Sequence, residues 1–442
     1  MRQFNRIISI PIWESAKKYL FNMIWLFLEK IVQVFSGLLL GIIIARYLGP
    51  SNLGKIAFSV SFAGLFIPIA NLGLENIVIR ELINNKSNNI LGSAFLLRLF
   101  GSLIAIGLIL ITCKALDLTQ SQLVLILAVA FSTIFNSFYV INYYFQSKVL
   151  GKNIVIPSII SLGISAVIKI ILLTLRAPYQ YFVWALLIDS ITLAIGLAVS
   201  YTKSGKSLSR WKVNRVIVVN LLKESWPLII SGVAVSIYMK IDQVMIKIIL
   251  SDEAVGQYAA AVRLSEAWYF IPAIILSTLF PAIISIKSID EKKYYERLQY
   301  LFNMMALLAI IIAIPTTLLS ARIVDFLYGD AYYLTASVLR IHIWAGLFVF
   351  IGGSVSKWLI AENLQLYSMI VSIMGAIINV ILNIILIKHY GIVGAAWATL
   401  IAYSVAAYFA LALFSKTRIM FSKLTKAISL TWIYYGNNEK EQ

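Results

Sequence analysis

Twelve apolar stretches, each of roughly membrane-spanning length, constrain this chain more than any motif in it. They are Met23–Leu48, Ile56–Leu74, Gly92–Leu116, Ser121–Phe145, Ile154–Leu175, Tyr179–Tyr201, Trp226–Leu250, Val255–Ser277, Leu301–Leu319, Thr335–Ile360, Leu366–Lys388 and Ile392–Phe414. A hydrocarbon core about 30 Å thick takes ~20 residues of helix. Inside it each backbone polar group needs a partner within its own element, so continuous apolar runs of this length fold as helices. The sequence therefore predicts an all-α polytopic membrane protein of about twelve transmembrane helices. Composition agrees: 61% of the residues are hydrophobic and the mean hydropathy is +0.89, far more than a soluble domain needs.

Segments outside the spans set the organisation. Residues 1–22 are basic and amphipathic and are expected on the cytoplasmic membrane surface. They do not form a signal peptide, because the run from Met23 continues for a full span without a small-residue cleavage site. Residues 23–201 form a first six-helix lobe and 225–414 a second, joined by a basic cytoplasmic linker, 202–224, whose part Trp211–Leu222 reads as a surface amphipathic helix. Residues 415–442 form a cytoplasmic tail with a frayed polar end. With the N-terminus inside, the inner segments hold 24 Lys and Arg, the outer ones 6, and the spans 7. That bias places both termini in the cytoplasm. It also accounts for the net charge of +18 without nucleic acid.

The halves repeat in order. Leu53-Gly54-Lys55-Ile56-Ala57 matches Val255-Gly256-Gln257-Tyr258-Ala259, and Phe66-Ile67-Pro68 matches Phe270-Ile271-Pro272. Ser147-Lys148-Val149-Leu150 recurs as Ser356-Lys357-Trp358-Leu359, and Trp184-Ala185 as Trp397-Ala398. An even number of spans per half makes these parallel repeats, related by an axis along the membrane normal, and two such lobes around a central cavity suit alternating access.

Charges within the spans point to that cavity. Lys240 and Asp242 lie in the middle of Ser225–Leu250, where a charge costs roughly 2.5–3.5 kcal/mol. Lys240, Asp242, Arg263, Glu266 and Asp189 fall near the midplane; Glu29, Lys30 and Arg98 lie toward the inner side, Lys169 and Arg340 toward the outer. The candidate anion-binding set is Lys240, Arg263, Lys169, Arg98, Lys30 and Arg340. Asp242, Glu266, Asp189 and Glu29 are candidates for ion coupling or charge pairing. Lys30, Lys247 and Arg340 have a plainer reading, snorkelling to an interface, and Arg263 and Glu266, three residues apart, have one as an ion pair. Asp242 points away from Lys240 on the helix, which leaves the Lys240 charge available. An excess of cations in a low-dielectric cavity favours an anionic cargo.

Enzymatic chemistry is not indicated. There is one cysteine, Cys113, and two distant histidines, His342 and His389, so no disulfide, metal pair or nucleophile–base set is expected. Gly205-Lys206-Ser207 lacks the first glycine and the strand–helix setting of a phosphate loop. Gly37-xxx-Gly41 reads as a helix-packing signal.

Several motifs stand out together: Ala45-Arg46-Tyr47-Leu48-Gly49-Pro50 with Gly54, Ser225-Trp226-Pro227-Leu228 with Ile237-Tyr238-Met239-Lys240-Ile241-Asp242, Val255-Gly256-Gln257-Tyr258-Ala259, and Asn379 and Asn383 with Tyr390-Gly391-Ile392-Val393-Gly394. In this order they resemble the O-antigen and capsule repeat-unit flippases (Wzx type) of the multidrug/oligosaccharidyl-lipid/polysaccharide superfamily, and on that resemblance the chain is expected in the inner membrane of a bacterium. The resemblance implies translocation of an undecaprenyl-pyrophosphate-linked oligosaccharide to the periplasmic leaflet, with H+ or Na+ as coupling ion, no other cofactor, and a polysaccharide polymerase and chain-length regulator as neighbours. A lipid II flippase and a cation-coupled multidrug exporter of the same superfamily remain as alternatives. A polymerase, an enzyme with a large periplasmic loop, fits poorly, since every outer loop here is short.

Overall fold

The computed structural model describes residues 12–84 and 88–430. Of the segment expected at the membrane surface, 1–22, residues 1–11 lie outside them, as does the polar end of the tail; the remainder of that segment begins α1. Among the described residues the chain is helical throughout, with no strand. In chain order the helices are α1 Ile12–Gly64, α2 Ile67–Asn71, α3 Glu75–Asn84, α4 Asn88–Ala115, α5 Gln120–Phe135, α6 Val140–Ser147, α7 Gly151–Thr174 and α8 Tyr179–Lys203. There follow α9 Arg215–Ile249, α10 Asp252–Glu266, α11 Phe270–Ile284, α12 Glu291–Tyr328, α13 Thr335–His342, α14 Ala345–Ala361, α15 Gln365–Ala407 and α16 Arg418–Ile428.

Among the described residues, ten helical stretches are long and apolar enough to cross a membrane. Two of them are double. Gly49 interrupts α1 with φ 70° and ψ 170°, and Gly391 interrupts α15 with φ 59° and ψ −142°. Both are backbone states an L side chain avoids. Pro50 then starts a new helix, where its missing N–H costs nothing. Counting both breaks gives the twelve spans expected from the sequence.

The repeated words mark matched irregularities. Phe66-Ile67-Pro68 lies where α1 gives way to α2, and Phe270-Ile271-Pro272 where α10 gives way to α11 through a 3-10 turn at Ala267–Tyr269. Likewise the fourth expected span breaks between α5 and α6 at Asn136–Tyr139, and the tenth between α13 and α14.

The chain divides into two compact units: Met1–Leu40 with Ile67–Trp226, and Gly41–Phe66 with Pro227–Gln442. This differs from a simple division into halves, because Gly41–Phe66 belongs with the second unit. One of the contacts it makes there joins the paired glycines of the repeat. A Cβ on Gly54 would lie 1.7 Å from the Asp252 carbonyl oxygen, and one on Gly256 1.8 Å from that of Pro50. Only hydrogen at both positions lets α1 and α10 cross so closely.

In the first unit the linker is packed down. The Trp211 ring contacts those of Phe95 and Tyr201, its Nε1 donates to the Tyr201 hydroxyl at 3.2 Å, and the Asn214 backbone N–H donates to Ser93 Oγ at 3.1 Å. Glu224 pairs with Arg80. The expected surface helix over Trp211–Leu222 is not a separate element. The Asn214 side chain accepts from the Val216 N–H at 2.9 Å and starts a helix that runs unbroken to Ile249, through Pro227. In the second unit, part of the expected tail is folded: Met420, Leu424 and Ala427 of α16 are buried in a core with Tyr294, Leu298 and Phe302 of α12.

Candidate functional site

The polar residues of the second unit gather where α9, α10 and α15 meet. Asp242, midway along α9, is only 2% exposed. Its Oδ1 accepts from Asn383 Nδ2 at 2.6 Å, and its Oδ2 from the Tyr258 hydroxyl at 2.8 Å and from Thr399 Oγ1. Tyr258 and Thr399 also bond each other at 3.0 Å, and Asn383 Nδ2 reaches Asn379 Oδ1 at 3.1 Å. Among the described residues no cation pairs with Asp242. The carboxylate is held by neutral donors, and among the described residues one further amide atom beside it, Asn383 Oδ1, has no partner. A buried carboxylate among amide and hydroxyl oxygens suits a proton or a hard monovalent cation.

Next along α9, Gln243 Oε1 accepts from Ser61 Oγ at 2.9 Å, which ties the second half of α1 to α9. Lys247, expected to snorkel, instead pairs with Asp252 at 2.7 Å across the turn between α9 and α10. That turn is capped by Ser251, whose Oγ accepts from the Ala254 N–H at 3.2 Å.

Lys240 faces Glu266 with Nζ 3.8 Å from Oε2, the two side chains 32% and 23% exposed. This corrects two expectations. Glu266 meets Lys240 across helices rather than Arg263 within its own, and the Lys240 charge has an acid partner. The pairing is loose: it exceeds hydrogen-bond length, and among the described residues Glu266 Oε1 has no partner. Arg263 is exposed. Its guanidinium crosses Gly41, where a Cβ would stand 2.3 Å from Nη1. Gly41 thus makes room for a cation, while Gly37, the other glycine of that pair, has no atom within 4 Å.

The remaining candidates are scattered. Arg98 is buried, 4% exposed, and donates to Tyr143 and, at 2.7 Å, to Asn71 Oδ1; it braces α4 inside the first unit. Lys169 pairs with Asp189 at 3.1 Å and donates to Ser165 Oγ at 2.6 Å. Lys30 donates to Gln33 Oε1 at 3.0 Å, one turn along its own helix, and lines a cavity with Glu29 and Asp189. Arg340 Nε donates to Ser320 Oγ at 3.1 Å. The structure therefore brings together Lys240, Glu266 and Asp242 with its neutral partners, and separately Lys30, Glu29 and Asp189.

Sequence reasoning did not single out Tyr258, Asn379, Asn383 and Thr399 as site residues. Asn379 and Asn383 carried a signal, being two amides four residues apart on one face of an apolar helix. Thr399 carried none, because a threonine in a membrane helix ordinarily bonds its own preceding turn, as Thr399 also does to the Ala395 carbonyl at 3.0 Å.

Comparison with known proteins agrees with this architecture. The profile of the family described as "Polysaccharide biosynthesis protein" matches residues 19–287, well over half of the chain, and that of the MatE family matches 227–385. The probable low-salt glycan biosynthesis flippase Agl15 of Haloferax volcanii is 28% identical over 182 residues. That match covers 40% of this chain and 38% of the relative's length. Among solved structures, the lipid II flippase MurJ in an inward closed conformation superposes with a TM-score of 0.69 at 17% identity, over 95% of this chain and 93% of that one. An inward-facing multidrug resistance MATE transporter of the MOP superfamily does so with a TM-score of 0.71 at 16% identity, over 91% and 99%. At these identities the structural likeness speaks to the fold.

Proposed function

This chain belongs to the polysaccharide biosynthesis protein family, and on that premise we propose that it is a flippase for lipid-linked glycans. Its cargo in this reading is an undecaprenyl-pyrophosphate-linked oligosaccharide repeat unit, moved from the cytoplasmic to the periplasmic leaflet. The observation that carries the reading is the loosely held Lys240, with Arg263 exposed in the same unit. A lysine 3.8 Å from its acid and partly open to its surroundings can exchange that carboxylate for a phosphate at little cost. A tight buried pair could not. The diphosphate would displace Glu266 from Lys240 and lean on Arg263, then be released as the carboxylate returns. Binding must be strong enough to admit the anion and weak enough to let it go. A cationic drug would be repelled by the same two groups.

Coupling to an ion is assigned in this reading to Asp242, whose neutral surroundings leave its charge to be balanced by H+ or Na+. Asp242 and Lys240 lie two residues apart on α9. Filling or emptying the Asp242 site is thereby linked, through one rigid helix, to the field and position of Lys240.

The test is complementation of a flippase-null strain, scored by surface polysaccharide and normalised to protein level. Lys240→Met should abolish export at normal abundance. Lys240→Arg should retain part of it, since charge matters more than shape for a loosely held anion, and Lys240→Glu should fail. Near-normal polysaccharide from Lys240→Met would overturn the assignment.

Direction of transport depends on topology. The reading places both termini and residues 202–224 in the cytoplasm of a bacterial cell, supported by the 24-to-6 distribution of basic residues. Alkaline phosphatase fused after Ser204 should be inactive, and fused after Asp117 active. The opposite pattern would reverse every depth assigned to a charge.

A further inference from the structure

The first unit contains a cavity of about 410 Å³ that the pyrophosphate reading leaves unused. It lies between the start of α1 and the facing stretches of α7 and α8, with Tyr139 at one side, and Glu29, Gln33, Ser158, Asp189 and Ser190 also line it. Its size falls within the roughly 300–1,000 Å³ of small-molecule sites. Its wall is more polar than apolar, which is unusual for membrane-spanning helices and costly unless something makes use of it.

Charge narrows the ligand. Asp189 Oδ2 is neutralised by Lys169 at 3.1 Å, and Glu29 is adjacent in sequence to Lys30, which is itself tied to Gln33. The cavity thus holds acids and bases in balance, unlike the cationic pair in the second unit, and offers no net attraction to phosphate or to a cationic drug. What it does offer is a dense mixture of neutral and charge-balanced donors and acceptors: one amide, three serine hydroxyls, two carboxylates, the Lys30 ammonium and a tyrosine ring. Among the described residues Asp189 Oδ1 has no partner. This inventory complements a ligand with several hydroxyls, each both donor and acceptor, on a ring whose C–H face can rest on an aromatic.

We infer that this cavity recognises uncharged sugar hydroxyls of the glycan cargo, an inference that rests on the lipid-linked glycan reading above. Division of labour follows. Cations in the second unit hold the part common to all such cargoes, the diphosphate, and the neutral cavity in the first unit reads the sugar. Selectivity among glycans then resides in Gln33, Ser158 and Ser190, because a site built to bond a hydroxyl rejects a ligand that leaves its polar groups unpaired.

The experiment uses the full-length protein in lipid nanodiscs and two probes. One is the lipid-linked oligosaccharide extracted from cells lacking this protein; the other is undecaprenyl pyrophosphate without sugar. The wild type should bind the glycosylated lipid more tightly than the bare one. Gln33→Leu combined with Ser158→Ala should weaken binding of the glycosylated lipid about tenfold, as expected for loss of ~1.4 kcal/mol, and leave the bare lipid unaffected. Gln33→Glu, which keeps an acceptor oxygen, should restore part of the difference, and an unchanged melting temperature would exclude general damage. Equal binding of both probes by the wild type, or equal weakening of both in the double variant, overturns the sugar assignment while the flippase reading stands. Failure of the wild type to bind either probe overturns the flippase reading itself, and the sugar assignment with it.

Discussion

Asp242→Asn is expected to leave a folded, abundant protein that no longer couples transport to an ion gradient. Asparagine keeps the shape and can still bond the Asn383 amide and the Tyr258 and Thr399 hydroxyls, which accept as readily as they donate. What it loses is the negative charge that a proton or sodium ion would balance. In proteoliposomes, flipping by the variant should be insensitive to an imposed H+ or Na+ gradient. In cells, export should fall by roughly 5–150-fold, the span of ordinary coupling free energies. Asp242→Leu should behave differently. It strands three buried polar groups, at about 1–3 kcal/mol each, and should lower abundance as well as activity. If the cluster were only a structural brace, Asp242→Asn would export normally and respond to gradients as the wild type does. That result would remove Asp242 from the coupling mechanism.

The same cluster shows what the sequence could and could not disclose. Asp242 is conspicuous as a midspan charge, and the amides of Asn379 and Asn383 lie on one helical face. Their convergence is invisible in one dimension, because it depends on how α9, α10 and α15 pack. Depth along a span was equally insufficient for Arg98. The rise per residue placed it in the membrane, yet whether it lined a cavity or was sealed against Tyr143 and Asn71 depended on neighbouring helices. The Lys240–Glu266 pair was missed for a related reason. Spacing reports which residues of one helix can meet, and this pair joins two. What was legible was local chemistry. Gly49-Pro50 and Gly391 break helices because of their own backbone preferences, so the twelve spans followed from the chain alone. The repeat was legible as text, but its physical meaning at Gly54 and Gly256 needed the packing of α1 on α10.

That crossing supports the remaining prediction. Gly54→Ala and Gly256→Ala should each destabilise the protein severely, and valine at either position should prevent its accumulation. Ordinarily a glycine replaced by alanine within a helix gains ~1 kcal/mol of propensity. Here the new methyl would lie 1.7 Å or 1.8 Å from a backbone carbonyl oxygen, a separation that no rotamer change relieves. The helices must part, which places the cost at or above the upper end of the ~1–3 kcal/mol usual for overpacking. Gly37→Ala is the matched control. It lies in the same long helix with no atom within 4 Å, so the propensity gain should appear as unchanged or raised stability. The two glycines share one contact, so their effects should not add. Once either substitution has opened the crossing, the second has little left to break, and Gly54→Ala/Gly256→Ala should be scarcely worse than either alone. Melting temperature and the monodisperse fraction after detergent extraction measure the four alanine variants. Wild-type values for Gly54→Ala would contradict the crossing, and full additivity in the double variant would mean that the two halves of the repeat do not meet there.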